Sequence, residues 1–460
     1  MRPLSPVDQL FLWLERRQQP MHVAALQLFS FPEDADARYV RDLAESMRAY
    51  NCPNEPFNQR IISRLGQHYF VEDKQFDIEH HFRHQALPKP GRIRELLALV
   101  SAEHSSLLDR QRPLWEVHLI EGIQRRRFAL YTKVHHSMID GVAAMRMGMK
   151  TLSSDPDVRG LPPAWANPVL NEMNANPYPT NPVAAVGKLA RIGTGVGKQI
   201  ATIPTLARTV YDMTQKAKSD PDYVSVFQAP ECMINQKITG SRRFAAQSYA
   251  TERFAAIGKA FGCTLNDVVL AVCSSALRDY LISQNALPDK PLIAMVPVNL
   301  RQEDDNTSGN QIAMILANLA THIADPANRL RMIKASMDEA KARYRQMTPA
   351  EILNLTGLIM APMGLHLLTG LAPEWRAFNV VISNVPGPRE PMYWNGARLE
   401  GMYPVSIALN QIALNITLTS YCDQLEFGII GCRRTLPSMQ RLLDYFEHGI
   451  RELEIAADLR

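Results

Sequence analysis

One stretch decides both the local fold and the chemistry of this chain: Tyr131-Thr-Lys-Val-His-His-Ser-Met-Ile-Asp-Gly141. Residues 128–134 form a short aromatic and β-branched run, which predicts a strand. Residues 142–152 carry apolar side chains at helical spacing, which predicts a helix. The two histidines therefore lie where a strand ends and a loop leads into a helix. Side chains that do chemistry are often exposed at such junctions.

The His-His-x-x-x-Asp-Gly pattern suits proton transfer. A histidine titrates near neutral pH and can take a proton from a hydroxyl. Neighbouring residues of an extended chain point to opposite sides, so one histidine can face a site while the other is packed away. Gly141 has no side chain, which lets a substrate or a backbone segment approach closely.

Three other interpretations of these residues stay open. A histidine at a strand end often serves packing alone, and Asp140 could be a helix N-cap. His136 and Asp140 could also hold a metal, since they are four residues apart. That interpretation is disfavoured because no Glu follows the first ligand, as in His-Glu-x-x-His, and no third ligand is evident.

Composition and charge narrow the class of protein. The chain has 460 residues, of which 46% are hydrophobic and 21% charged, as in ordinary globular proteins with two or three domains. A net charge of +4 is too slight to favour nucleic acid, although it suits anionic lipid or a phosphorylated cofactor. The six cysteines are scattered without a Cys-x-x-Cys pair, and the first residues lack an apolar signal core. We therefore expect reduced thiols and a cytoplasmic protein.

The order of predicted strands and helices indicates an α+β fold with two halves. We predict an N-terminal domain over residues 1–153, a linker over 154–239 and a C-terminal domain over 240–460. The linker begins with a proline-rich segment and continues as a basic amphipathic helix, which either lies on a membrane or docks on its own protein. Residues 405–409 and 412–420 are predicted to pair as a hairpin across Asn410-Gln411. Residues 352–373 carry no charge, but Pro and Gly interrupt them, so a tunnel-lining or core helix suits them better than a membrane span.

A set of motifs carries a resemblance over almost the whole chain. In order, they are Leu4-Ser-Pro-Val-Asp-Gln-Leu-Phe-Leu, Pro20-Met-His-Val, Pro113-Leu-Trp-Glu, His135-His-Ser-Met-Ile-Asp-Gly141, Asn266-Asp267, Pro297-Val-Asn-Leu-Arg301, Gly309-Asn310 and Ser383-Asn-Val-Pro-Gly-Pro388. Together they resemble the bacterial wax ester synthase/acyl-CoA:diacylglycerol acyltransferase family, within the wider superfamily of CoA-dependent acyltransferases. The resemblance implies two chloramphenicol-acetyltransferase-like domains, each a mixed sheet flanked by helices, with an active-site tunnel at their interface.

The resemblance also implies roles for individual residues. His136 would be the general base, with His135 supporting it by packing. Asp140 would orient the loop beside Gly141 through a salt bridge, for which Arg301 is the candidate partner. Asn266 would donate to the oxyanion, with Asp267 structural. From the sequence alone, Asn266 could equally be a helix N-cap, and both roles suit the start of a helix.

The implied reaction moves a fatty acyl group from acyl-CoA to a long-chain fatty alcohol, and also to diacylglycerol, by direct attack without an acyl-enzyme. Acyl-CoA is the cosubstrate, and we expect no permanent cofactor and no metal. Arg242 and Arg243 are considered for the CoA phosphates. The implied location is peripheral, at the inner membrane or on lipid inclusions. Two alternatives remain: another hydroxyl or amine acceptor, or a lipid-droplet protein without activity.

Overall fold

A computed structural model describes most of the chain. The long described ranges are 1–139, 147–167, 228–299, 312–347 and 376–459, with short pieces at 211, 214–215, 219, 224–225, 351–352 and 355–360. The predictions for Asp140, Gly141 and Arg301 lie outside the described residues. So do most of those for the amphipathic linker and for residues 352–373.

The first of two six-stranded sheets contains the histidine strand. Its order is β12-β13-β2-β7-β6-β5, and all neighbours are antiparallel except the parallel pair β5 and β6. The bounds are β2 His22–Ser30, β5 Phe82–Ala86, β6 Trp115–Ile123, β7 Arg127–His135, β12 Tyr393–Trp394 and β13 Ala397–Val405. The predicted strand over residues 128–134 is thus confirmed, and it pairs with β6, which follows Pro113.

The second six-stranded sheet is also mixed, with the order β10-β9-β11-β14-β15-β8. Its bounds are β8 Arg242–Ala250, β9 Ile293–Asn299, β10 Ile312–Asn318, β11 Val380–Val385, β14 Leu414–Tyr421 and β15 Gln424–Cys432. β11 runs parallel to both of its neighbours, and the other pairs are antiparallel. A separate antiparallel sheet of three strands is made of β1 Arg2–Pro3, β4 Gln67–Glu72 and β3 Gln59–Arg64.

Helices flank these sheets, and one of them covers a sheet edge. Their bounds are α1 Pro6–Leu14, α2 Tyr39–Arg48, α3 Ile93–Ser105, α4 Thr251–Phe261, α5 Leu265–Ser283, α6 Pro326–Arg345 and α7 Leu442–Ala456. α3 belongs to the first half but covers edge strand β8 of the second sheet. The Ser101 and Ser105 hydroxyls accept the Phe244 and Arg242 N–H groups, so these two donors are not left open for another strand.

Two strands of the second half pair in the first sheet, which the sequence did not reveal. β13 lies beside β2, with Val405 opposite Ala24. The predicted hairpin is therefore wrong: Leu409 and Ile412 form only an isolated bridge, and β14 pairs with β15 and β11 instead. The sequence indicated the tight turn at Asn410-Gln411. It did not indicate which sheet each flanking strand joins, because that depends on packing against residues distant in the sequence.

Among the described residues, no single helix is long and apolar enough to cross a membrane. One pair bent by 103°, α4 with α5, meets that test by length and composition alone.

A buried carboxyl group lies where the two sheets meet. Glu426 of β15 is fully buried, its Oε2 accepts a hydrogen bond from the Ser248 hydroxyl, and Ser248 lies 2.9 Å from the Tyr403 hydroxyl of β13. Burial raises the pKa of Glu426 to about 7, against the opposing effect of hydrogen bonds from Ser248 and Tyr403. The folded carboxyl group therefore holds its proton at a pH where an unfolded one has lost it.

We expect Glu426→Gln to stabilise the protein above pH 7. Because the folded pKa is raised, the stabilisation by this group is complete below the unfolded pKa and is lost as the pH rises through about 7. The variant should melt higher than wild type at pH 8.5, and this gain should shrink or reverse at pH 5.5. Glu400→Gln, at an exposed position of β13, is the control. An equal difference at both pH values would contradict the prediction.

Candidate active site

The backbone of the histidine pair is fixed by its neighbours. The His135 N–H donates to the Leu114 carbonyl and the His136 N–H to the Met21 carbonyl, each over 2.9 Å. β7 ends at His135, and the side chains of its residues alternate between two faces. The two imidazoles consequently have different surroundings, as the sequence predicted.

His136 opens into a cavity. Its half-buried ring stacks on Phe11 of α1, with ring centroids 4.1 Å apart and an interplanar angle of 17°. α1 starts after the N-cap residue Ser5, whose hydroxyl accepts the Asp8 N–H over 3.1 Å. The capped first helix therefore positions an aromatic surface against the imidazole.

His135 points the other way and is fully buried. Its Nδ1 accepts the Ser137 N–H over 3.1 Å and lies 2.6 Å from the Ser137 hydroxyl. The proton therefore sits on Nε2, which faces the Glu15 carboxylate at 3.4 Å. Burial raises the pKa of Glu15, but His135 and Arg110 outweigh it, so the pKa is lowered overall. Glu15 also accepts the Met21 N–H over 3.3 Å, which ties the end of α1 to the strand segment beside His136.

A charged network is buried on the His135 side of the sheet. Lys133 is fully buried, and its ammonium lies 3.0 Å from the Glu116 carboxylate and donates to the Glu103 carbonyl over 3.1 Å. Burial alone would raise the pKa of Glu116, but the His118 hydrogen bond and Lys133 lower it to about 2. Among the described residues, Glu103, Glu116 and His118 bring ligand atoms close enough for a metal ion. The Lys133 ammonium already supplies positive charge there.

The cavity that His136 opens into lies between the two sheets and has a volume of about 610 Å³. The first half lines it with Val23, Ala25, Gln27, Val117, Leu130, Thr132, Val134 and Trp165, and the second half lines it with Pro297, Met314, Val381, Ser383, Val385, Trp394 and Thr417. The walls are mostly apolar, which suits a hydrocarbon chain and keeps water away from the imidazole. The expected cavity at the interface of two mixed sheets is thus present.

The structure places the other predicted residues at the start of α5. Thr264 is the N-cap and not Asn266, which corrects the alternative role given to Asn266. Asp267 is fully buried and closes a capping box, because its carboxylate accepts the Thr264 N–H over 2.9 Å. Asn266 is half-buried in the first turn and is not among the described residues that line the cavity.

Arg242 is buried and donates to the Thr239 and Gln18 carbonyls, so it is not available for a CoA phosphate.

Sequence reasoning missed three neighbours of the histidine pair: Phe11, Glu15 and Ser137. Ser137 lies inside the motif, two residues after His135, so its hydroxyl could have been considered as a hydrogen-bond partner of that imidazole. Phe11 lies in α1 and Glu15 directly follows it, more than a hundred residues before the motif, and nothing local reveals where that helix docks.

A half-buried histidine at a strand end faces a cavity between two mixed sheets, and this arrangement places the chain in a known fold class. Condensation domains share this fold: the first condensation domain of the calcium-dependent antibiotic synthetase superposes with a TM-score of 0.58 at 16% identity, covering 99% of this chain and 96% of that one. The family description "Wax ester synthase/diacylglycerol acyltransferase catalytic domain" matches residues 4–269, and "WS/DGAT C-terminal domain" matches residues 308–454. The chain belongs to this family.

Relatives match the chain over its full length. The O-acyltransferase WSD of Acinetobacter baylyi is 49% identical, covering 99% of this chain and 97% of that protein. A putative diacylglycerol O-acyltransferase of Mycobacterium bovis is 42% identical, covering 99% of both. The solved wax ester synthase/diacylglycerol acyltransferase of Marinobacter aquaeolei superposes with a TM-score of 0.81 at 55% identity, covering 100% of both chains.

Proposed function

We propose that this protein transfers a fatty acyl group from acyl-CoA to a long-chain fatty alcohol, forming a wax ester, and to diacylglycerol, forming triacylglycerol. The names of its relatives support both acceptors. The observation that carries the proposal is the His136 imidazole opening into an apolar cavity between the sheets.

In the proposed mechanism, His136 takes the proton of the acceptor hydroxyl. The alcohol oxygen then attacks the thioester carbonyl and forms a tetrahedral oxyanion. When this intermediate collapses, the carbon–sulfur bond breaks and CoA leaves as a thiolate, which recovers the proton from His136. The imidazole returns to its neutral state, so no permanent cofactor is needed.

Other residues support this step in the proposal. Asn266, in the first turn of α5, would donate to the oxyanion, because the start of a helix favours negative charge. Glu15 and Ser137 hold His135, which keeps the strand end and thus His136 in place. Asp140 and Arg301 keep their proposed roles as an orienting pair beside Gly141.

We also place the protein at the surface of a membrane or a lipid inclusion, because its acceptors and products are lipids. The net charge of +4 suits an anionic lipid surface.

The test is a turnover assay with purified protein and palmitoyl-CoA. Thiol release and product formation are followed with hexadecanol, 1,2-dipalmitoylglycerol, dodecylamine and glycerol as acceptors. We expect hexadecyl palmitate and tripalmitoylglycerol as products. Thiol release only with the amine or with glycerol would replace the proposed acceptor. Binding to liposomes without thiol release from any acceptor would indicate a protein without activity.

A further inference from the structure

The cavity beside His136 extends along the strands of the first sheet, as the strand register shows. Leu130, Thr132 and Val134 of β7 all line it, and they occupy alternate positions that lead away from His136. Their partners on β2 are Gln27, Ala25 and Val23, which line it too. The cavity is therefore a channel along one face of the first sheet.

The length of the channel can be read from the strand. From His136 to Leu130 is six residues, or roughly 20 Å at about 3.3 Å per residue. An extended hydrocarbon chain advances by roughly 1.3 Å per carbon, since bonds of about 1.5 Å zigzag about its axis. The channel thus has the length of a chain of about 16 carbons.

Three aromatic rings lie where the channel ends. Phe29 and Phe128 are direct partners on β2 and β7, with ring centroids 5.3 Å apart, just beyond Gln27 and Leu130. Trp394 packs on both, at 5.6 and 6.2 Å, and itself lines the cavity. All three side chains are buried, so we call Phe29, Phe128 and Trp394 the aromatic stop.

The second half of the chain covers this channel and supplies part of the stop. Val381, Ser383 and Val385 of β11 line the opposite wall at alternate positions. Trp394 belongs to β12, which is held in the first sheet by β13. The crossing of β12 and β13 into the first sheet therefore brings the indole to the far end.

We propose that this channel measures one linear alkyl chain of the substrates, with the aromatic stop setting the upper length. The inference rests on the proposed function and adds to it a place and a limit for the chain. The group that fits the channel is a saturated chain of about 16 carbons, and both the acyl group and the fatty alcohol carry such a chain. Turnover should fall when that chain exceeds the length of the channel.

Two substitutions on one face of β7 form a matched pair. Thr132→Trp fills the channel at roughly 13 Å from His136 and Leu130→Trp fills it at roughly 20 Å, by the same rise per residue. We expect the first to abolish turnover of chains longer than about 10 carbons and the second to cut off about 5 carbons later, because two strand residues span roughly 6.6 Å. For each variant, turnover is expressed relative to its own rate with the shortest chain, and we expect this ratio to fall sharply beyond the new indole.

The stop itself is tested by Trp394→Ala, which should admit chains several carbons longer. Since loss of a buried indole can prevent folding, Trp394→Phe is the second variant, with a smaller extension expected. Melting curves establish that each variant is folded.

Two assay arms identify the chain that occupies the channel. In one arm the acyl-CoA is varied from 6 to 24 carbons (roughly a third to well beyond the channel length) with hexadecanol fixed. In the other arm the alcohol is varied with palmitoyl-CoA fixed. If a variant changes the chain length at which turnover falls when the acyl-CoA is varied, the channel holds the acyl chain. If the change appears when the alcohol is varied, the channel holds the alcohol chain.

The proposal is overturned if folded Thr132→Trp shows the wild-type length profile in both arms, or loses turnover equally at all lengths. Wild type is a test by itself, since equal turnover of the shortest and longest chains in both arms would also overturn it. Failure of the proposed function gives a result distinct from failure of the channel proposal, because wild type would then release no thiol with hexadecanol and palmitoyl-CoA.

Discussion

Replacing His136 by Ala is expected to lower kcat by about 10²–10⁴-fold, the usual contribution of a general base. The imidazole opens into the cavity between the sheets, whereas His135 faces Glu15. Without the His136 ring, no group at that place takes the proton of the acceptor hydroxyl. Turnover of palmitoyl-CoA with hexadecanol, measured by thiol release, gives the effect.

Fold and chemistry can be separated in that experiment. The His136 ring is half-buried and packs on Phe11, so its removal should shift the melting temperature only slightly. His80→Ala is the matched control, because that histidine is exposed and lies far along the chain. Turnover by His136→Ala within a few-fold of wild type would remove the residue from the mechanism.

Local patterns indicated part of the strands and helices of this fold but not their partners. The strand over residues 128–134 could be predicted, because the pattern of its side chains is local. The pairing of β13 with β2 could not, since it joins residues nearly 400 positions apart. Strand β15 and helix α4 were missed, although α4 ends at Gly262 in the left-handed conformation typical of a helix C-terminus.

The sequence likewise predicted only part of the site. The His-His motif indicated that one imidazole can face a site while the other is packed away, and in the structure His136 is half-buried beside a cavity and His135 is fully buried. The buried charges were not readable: Glu116 and Lys133 alternate with apolar residues and so suggest a solvent-facing side of β6 and β7. That side is covered by the end of α3, where the carbonyls of Glu103 and of Ser106, the residue after the helix, accept hydrogen bonds from Lys133. Tertiary packing, not local pattern, turned this face into an interior one.

That buried pair leads to the second large expected effect, a loss of about 3–5 kcal/mol in the free energy of unfolding for Glu116→Gln. The change keeps the shape of the side chain but removes the negative charge that lies 3.0 Å from the fully buried Lys133 ammonium. Urea unfolding measures the loss. Glu121→Gln is the control on the same strand, because the Glu121 side chain is 41% exposed.

The double variant Glu116→Leu with Lys133→Met shows whether the pair stabilises the fold or is merely costly to break. Replacing a buried ion pair by apolar side chains of similar size is often neutral or stabilising. We therefore expect the double variant to recover most of what Glu116→Gln loses. Since Lys133 and Glu116 are not among the described residues that line the cavity, kcat of the folded double variant should stay near wild type. A double variant as unstable as the single one would mean that the hydrogen bonds to the Glu103 and Ser106 carbonyls, and not the charge pair, hold α3 on the sheet.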